Sequence, residues 1–223
     1  MSEQLWDEVD DYINGLLAPA DEALDGALEA ADAAGLPQIA VAPNQGKLLH
    51  LLAQTVGASA ILEIGTLAGY STIWLARALK PGGRVVTLES DIKHAEVANA
   101  NLARAGLAGM VEIRVGRALD TLPQIAAQNR GPFDFIFIDA DKASIPEYFK
   151  WALKLSRRGS LIVIDNVVRK GAILDAASED SAVRGVRRMY ELIAAEPRVS
   201  ATAIQTVGGK GHDGFCLVRV LSG

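Results

Sequence analysis

Apolar residues recur every three or four positions through the first 55 residues, and then the spacing changes. Leu5, Val9, Ile13 and Leu16 mark one face of a helix, and the alanine-rich stretch from Asp21 to Ala34 repeats the pattern. Gly35-Leu36-Pro37 stops that second helix, and Asn44 stands where it would cap a third running through Leu48, Leu51 and Leu52. His50 falls inside this third helix and reads as a surface or packed residue. From residue 60 short apolar runs alternate with helical patterns. AILEI precedes a helix over Ser71 to Leu79, RVVTLE one over Asp91 to Ala105, and MVEIRV one near Leu119 to Gln128. FDFIFID precedes a helix over Ser144 to Ser156, and SLIVID one from about Asp180 to Ala195.

Strands separated by helices of this length imply right-handed βαβ crossovers and a parallel sheet covered on both faces. The unbroken apolarity of FIFI and LIVI suits central strands. The ending differs: SATAIQTV and GFCLVRVL are joined by GGKGHDG, too short for a helical crossover, so they form an antiparallel pair with His212 as a solvated turn residue. The expected fold is α/β, a mostly parallel sheet with a C-terminal antiparallel strand pair and N-terminal helices. It occupies a single domain, 1–223, with a helical segment over 1–55 and an α/β core over 56–223, a length that suits one core.

Composition narrows the function classes. Half the residues are hydrophobic and 22% are charged, which argues against disorder. The net charge is −5 and no basic cluster exceeds a pair, so a nucleic-acid partner is not expected. The pairs Arg157-Arg158 and Arg187-Arg188 read as exposed helix ends or faces. Cys216 is the one cysteine, which excludes an intrachain disulfide or a cysteine-rich zinc site, and its run Phe215-Cys216-Leu217-Val218 suggests a buried hydrophobe. The acidic start MSEQLWDEVDDYI is unlike a signal peptide, and no apolar run is long enough to span a membrane. A cytoplasmic protein with no membrane partner is expected.

Candidate chemistry lies after the strands, because open α/β sheets bind ligands outside the carboxyl ends of their strands. Gly65 and Gly69 follow the first strand and open the next helix, where backbone can approach a ligand closely. Glu89 follows the second, placed to accept both hydroxyls of a ribose. Together they indicate a nucleoside-containing cofactor. The spacing G-x-x-x-G is not the dinucleotide fingerprint, no tyrosine has a lysine four residues on, and no Gly-Lys-Ser/Thr is present. Glu63 would repel a pyrophosphate but suits a cationic ligand such as S-adenosylmethionine, directly or through water; the alternative is a carboxylate that steadies the loop. Asp139 and Asp141 end the fourth strand beside Lys142, and Asp165 and Asn166 end the fifth. Oxygens from Asp139, Asp165 and Asn166 facing one crevice call for a hard cation, Mg²⁺, Mn²⁺ or Ca²⁺. Asp141 is equally compatible with a structural role, and Ser144-x-x-Glu147 reads as a capping box for the helix that follows.

With these motifs on the page, the chain from Pro43-Asn44-Gln45-Gly46 onward resembles the cation-dependent O-methyltransferases, the group that includes catechol and caffeoyl-CoA O-methyltransferases and their bacterial relatives. LEIGTLAGYSTIWLA, VVTLESD, FIDADK, LIVIDNVVRKG and QTVGGKGHDGF occur in the family's order. The resemblance implies a Rossmann-like S-adenosylmethionine-dependent methyltransferase fold. It implies that Glu63, Gly65, Thr66 and Ser71 hold the methionine end of the cofactor, that Glu89 binds the ribose, that backbone at Ala118 faces the adenine, and that Val41 closes the pocket. Asp139 lies next to the cofactor, and Asp139, Asp165 and Asn166 look like metal ligands; Lys142, with Asp139, looks catalytic. Arg169-Lys170 departs from many bacterial relatives. The expected activity is methylation of a hydroxyl on a small catechol-like acceptor, by a homodimer in which the N-terminal helices contribute to the interface or cap the acceptor pocket. The rivals are a nicotinamide-dependent oxidoreductase and a non-catalytic adenosyl-ligand binding protein.

Overall fold

The first five strands run parallel because each is followed by a segment long enough to return the chain across the sheet. The computed structural model describes residues 3–222, so the first two residues of the acidic start and the last residue of the expected domain lie outside the described residues. Strands β1 (Ala60–Ile64), β2 (Arg84–Glu89), β3 (Val111–Val115), β4 (Phe133–Ile138), β5 (Ser156–Asp165), β6 (Val199–Gly208) and β7 (Gly211–Val220) form a sheet of order β3-β2-β1-β4-β5-β7-β6. Strand β7 pairs antiparallel with both β5 and β6, as the short joining segment requires.

Alternation sorts the strand side chains between two helical layers. Leu62, Ile64, Val86, Leu88, Ile136 and Ile138 pack with helices α6 (Ala118–Ala127), α7 (Ile145–Lys154) and α8 (Ser181–Ala195). On the other face Ile61, Val85, Phe135 and Phe137 pack with helices α2 (Glu22–Ala33), α3 (Pro43–Thr55), α4 (Tyr70–Ala76) and α5 (Ile92–Arg104). Helix α1 (Glu3–Leu17) has no buried residue. Cys216 is buried in the first layer, and burial pushes its thiol up to about 12, so it stays protonated. His50 is half-buried, with Nδ1 3.1 Å from the Trp74 carbonyl oxygen. No helix among the described residues is long and apolar enough to cross a membrane.

Several local expectations are corrected. Asn44 does not cap α3, which starts one residue earlier at Pro43; its side-chain amide donates to Asp10 Oδ1 at 2.8 Å. Ser144 makes no side-chain cap to α7, and Asp141 Oδ1 instead accepts the Ser144 N–H at 2.9 Å. Helix α4 ends at Ala76 rather than Leu79. Strand β5 begins at Ser156, so Arg157-Arg158 lies on a strand; Arg157 Nη2 pairs with Asp134 Oδ1 at 2.5 Å. The final hairpin is tighter than expected, and His212 is a strand residue opposite Val207, its Nε2 3.0 Å from Gln205 Oε1. A 3₁₀ turn over Arg169–Leu174 was not legible in the hydrophobic pattern.

One glycine joins the two halves of the sheet. Gly65 has φ +102°, and a Cβ there would lie 2.0 Å from the Asp139 carbonyl oxygen. Because the obstacle is backbone, neither partner can turn aside. Gly65→Ala should cost about 3 kcal/mol or more, the scale of backbone strain combined with overpacking. Gly106, at φ +72° with open space around its Cβ position, is the control. Gly106→Ala should cost about 1 kcal/mol, the left-handed penalty alone. Urea denaturation of the two variants tests this; equal losses would mean that the close approach is not what demands Gly65.

Candidate active site

The strand order reverses direction between β1 and β4: the chain moves from β1 towards β2 and β3, and from β4 towards β5. A crevice opens at such a switch. Pairing of Ile64 with Leu88 and Ile138, and of Ile138 with Ile164, brings the ends of four strands level. Glu89, Gly65, Asp139 and Asp165 therefore stand in one row, on strands spaced about 4.8 Å apart. They line a cavity of about 1100 Å³. Val41, Thr66, Ser71, Ala118, Lys142 and Asn166 line the same cavity, so it gathers the expected site residues other than Glu63 and Gly69.

At one end the loop after β1 is tied to Glu89. Its carboxylate is buried and accepts the N–H groups of Thr66 (3.2 Å), Leu67 (2.8 Å), Ser90 (2.8 Å) and Asp91 (3.0 Å). A ribose would have to share a carboxylate that already organises two loops. His94, on α5, brings Nδ1 within 3.7 Å of the same group and also lines the cavity. Gly116, Arg117, Ala118 and Leu119 form the wall at the start of α6, where main-chain N–H groups are free. A bare glycine approach, an anchored acid and free amides make a fitting cradle for a nucleoside.

Glu63 sits elsewhere. It is fully buried, on the strand face that carries Ile61, and it is absent from the cavity wall. Its Oε1 accepts from Ser71 Oγ at 2.7 Å, and its Oε2 from Thr72 Oγ1 at 2.5 Å and Thr87 Oγ1 at 2.7 Å. Thr87 is its register partner on β2. Glu63 meets the cavity through Ser71, the loop-steadying arrangement that the sequence left as its alternative. Burial, above all, pushes its carboxyl up to about 7 despite the three hydroxyls.

At the other end are the acids after β4 and β5. Lys142 Nζ donates to Asp139 Oδ1 at 2.7 Å, and Lys142 is itself mostly buried. Helix α8 holds this lysine's backbone, since a Cβ on Gly185 would come within 2.1 Å of the Lys142 carbonyl oxygen. Asp165 is buried; its Oδ1 accepts the Asn166 N–H at 2.8 Å and its Oδ2 accepts from Gln45 Nε2 at 2.6 Å. Burial, and second the neighbouring Asp139, raises the Asp165 carboxyl well above the ordinary carboxylate range. Two carboxylates face one ammonium here, leaving one negative charge uncompensated. Among the described residues no group of three or more His, Cys, Asp or Glu could hold a metal, so a cation here would need the Asn166 amide oxygen as its third protein ligand. The donor set of two carboxylates and one amide fits a hard ion.

Asp141 is explained by structure: its carboxylate caps α7 and takes the Tyr148 hydroxyl at 2.5 Å. Gln45, Tyr148, Arg169 and Asp213 line the cavity without having been singled out from sequence as site residues. Gln45 had one usable signal, the glycine beside it. A Cβ on Gly46 would lie 2.4 Å from the Trp74 ring, so α3 can press against α4 only at a glycine, and that contact seats Gln45 over Asp165.

The profile of the O-methyltransferase family matches residues 18–221. A catechol O-methyltransferase of Niastella koreensis is 54% identical over 99% of this chain and 100% of its own. A crystal structure of an O-methyltransferase from Bacillus cereus in complex with SAH superimposes with a TM-score of 0.97 at 58% identity, covering 98% of this chain and 100% of that one. The O-methyltransferase TomG from Streptomyces achromogenes, involved in tomaymycin synthesis and solved in complex with SAM, gives 0.97 at 53% identity with both chains fully covered.

Burial of Glu63 makes stability depend on pH. With a folded pKa of about 7 against an ordinary 4.5, the folded chain keeps a proton that the unfolded chain has released between those values. Stability from this group is full below pH 4.5 and falls as pH rises to 7, by about 3 kcal/mol in all for the ligand-free chain. Glu63→Gln should flatten that part of the curve relative to wild type. Urea titrations from pH 4.5 to 8 would check it, and parallel curves for the two chains would rule out Glu63 as the source.

Proposed function

The chain belongs to the O-methyltransferase family and is a methyl-transferring enzyme, and from that premise we propose that it uses S-adenosylmethionine and a divalent cation to methylate one hydroxyl of a catechol-like acceptor. Family membership removes both the nicotinamide oxidoreductase and the non-catalytic binder. The observation that carries the finer reading is the end-to-end order of one cavity: Glu89, the glycine loop and Ala118 at one end, Asp139, Lys142, Asp165 and Asn166 at the other. SAH and SAM bound to the two solved relatives support the cofactor, and the Niastella koreensis enzyme supports the acceptor class. Mg²⁺ is the first choice of ion, with Mn²⁺ or Ca²⁺ as alternatives.

When bound, S-adenosylmethionine supplies an electrophilic methyl group, and the cation supplies a positive charge that eases proton loss from a phenolic hydroxyl of pKa near 10. The chain's own residues do the rest. Asp139, Asp165 and Asn166 hold the ion, with Asp165 oriented by Gln45 on one oxygen and by the Asn166 N–H on the other. Lys142 Nζ, held by Asp139, takes the proton from the acceptor hydroxyl when neutral, or orients the oxyanion when charged. Glu89 and the loop it anchors fix the nucleoside, so that the reacting atoms meet in line. Ile39, Val41, Leu48 and Phe215 make the wall apolar and exclude water from the transfer. The single domain works in the cytoplasm as a homodimer in this reading. Helix α1 supports the dimer, with Leu5, Val9, Tyr12, Leu16 and Leu17 between 43% and 71% exposed.

Two sets of outcomes test this. EDTA should abolish methylation of catechol while SAH binding, followed by calorimetry, persists; Mg²⁺ or Mn²⁺ should restore turnover. Asp165→Ala should lose the metal response, and Lys142→Ala should retain metal and SAH binding but slow turnover by about 10²–10⁴-fold. Chelator-resistant methylation by the wild-type chain would overturn the cation. For assembly, light scattering should show a dimer that weakens when residues 1–17 are deleted, and a monomer in both cases would dismiss the interface.

A further inference from the structure

Among the cationic side chains that line the cavity, most are accounted for by position. Lys142 is paired with Asp139, and Arg117 and Lys210 are exposed at the rim. Arg169 is different. It is half-buried, it lines the cavity three residues after Asn166, and its guanidinium has no hydrogen-bond or ion-pair partner among the described residues.

Its backbone is also held in an unfavourable place. Arg169 has φ +54°, a left-handed conformation that a long side chain rarely adopts. Asp213 on β7 enforces it: one carboxylate oxygen, Oδ1, accepts the N–H groups of Val168 at 2.9 Å and Arg169 at 3.0 Å. Asp213 thus directs its charge at the main chain, while the neighbouring Asp10 carboxylate takes Asn44 Nδ2 at 2.8 Å and the Gly209 N–H at 3.0 Å. Asp213 and Asp10 are thus occupied by main-chain and amide donors, and the Arg169 guanidinium is paired with neither.

A planar guanidinium, half-desolvated and without a partner, matches a carboxylate in geometry and charge. Its place in the chain, just past Asp165 and Asn166, puts it at the acceptor end, away from Glu89 and Ala118. We propose that Arg169 is a specificity-determining residue, selecting catechol acceptors that carry a carboxylate on the ring or on a short side chain. This inference rests on the catechol reading of the same site.

The test compares catechol, 3,4-dihydroxybenzoate and 3,4-dihydroxybenzylamine as acceptors for the wild-type chain and for Arg169→Met, which keeps an unbranched apolar stem and removes the guanidinium and its charge. Wild type should favour the benzoate over catechol and catechol over the amine in kcat/KM, by about tenfold or more at the first step. Arg169→Met should lose that preference for the benzoate, mostly through KM, while its kcat/KM for catechol stays within about threefold of wild type. Arg169→Lys should keep part of it, since charge remains and the fork is lost. Equal use of benzoate and catechol by wild type would overturn the proposal, as would an equal loss for both in Arg169→Met, the mark of a structural role. No methylation of any of the three would instead bring down the catechol reading, and this inference with it.

Discussion

The contact between Gly65 and the Asp139 main chain is the constraint on which the rest of the site depends. The Asp139 N–H donates to the Ile64 carbonyl at 2.8 Å, and the Asp139 carbonyl fills the space that any side chain at residue 65 would need. The glycine loop after β1 and the strand end that carries the acids are thereby one rigid unit. A cofactor held by the first is automatically placed against the second. Few atoms are involved, and all of them are backbone, so the geometry cannot drift with side-chain rotamers.

Three buried carboxylates around this contact are stabilised in three different ways. Glu89 is surrounded by main-chain N–H groups, which satisfy its oxygens and hold it as a fixed acceptor. Glu63 has hydroxyls alone, too little to offset full burial, and so it sits near neutrality with its proton. Asp165 has an amide on one oxygen and an N–H on the other, with a second acid beside it. That last arrangement is the one that calls for an external positive charge. A carboxylate anchors loops at Glu89 and braces α4 at Glu63, and at Asp165 it would hold an ion in the function proposed above, according to which donors reach it.

Segments far apart in the chain close the acceptor end. Gln45 on α3 reaches Asp165 across 120 residues, and Asp213 on β7 holds the turn that carries Arg169. The antiparallel β6–β7 pair is therefore part of the site as well as an edge of the sheet. Its register with β5 sets Phe215 opposite Asp165, which brings the Asp213 carboxylate beside the turn that follows β5. This end of the cavity is shaped by the meeting of α3, the 3₁₀ turn and the last hairpin.

Periodicity determined the architecture from sequence because burial on two faces leaves little freedom: FIFI and LIVI can only be central strands, and the helices between them can only cross over. The row of site residues was legible for a related reason. In a parallel sheet every strand's carboxyl end lies on the same side, so Gly65, Glu89, Asp139 and Asp165 could be grouped without coordinates. What the sequence could not determine was which donors meet each acid. Glu63 reads as a cavity residue until strand alternation turns it towards α4, where Ser71 and Thr72 take it up. Asn44 reads as a cap until Asp10 comes from elsewhere in the chain. Gln45 and the αL turn at Arg169 carry no periodic signal at all, because their positions follow from packing of α3 on Trp74 and from Asp213 on a distant strand. Local spacing encodes the faces of elements; hydrogen-bond partners across the fold exist only once tertiary packing has brought those faces together.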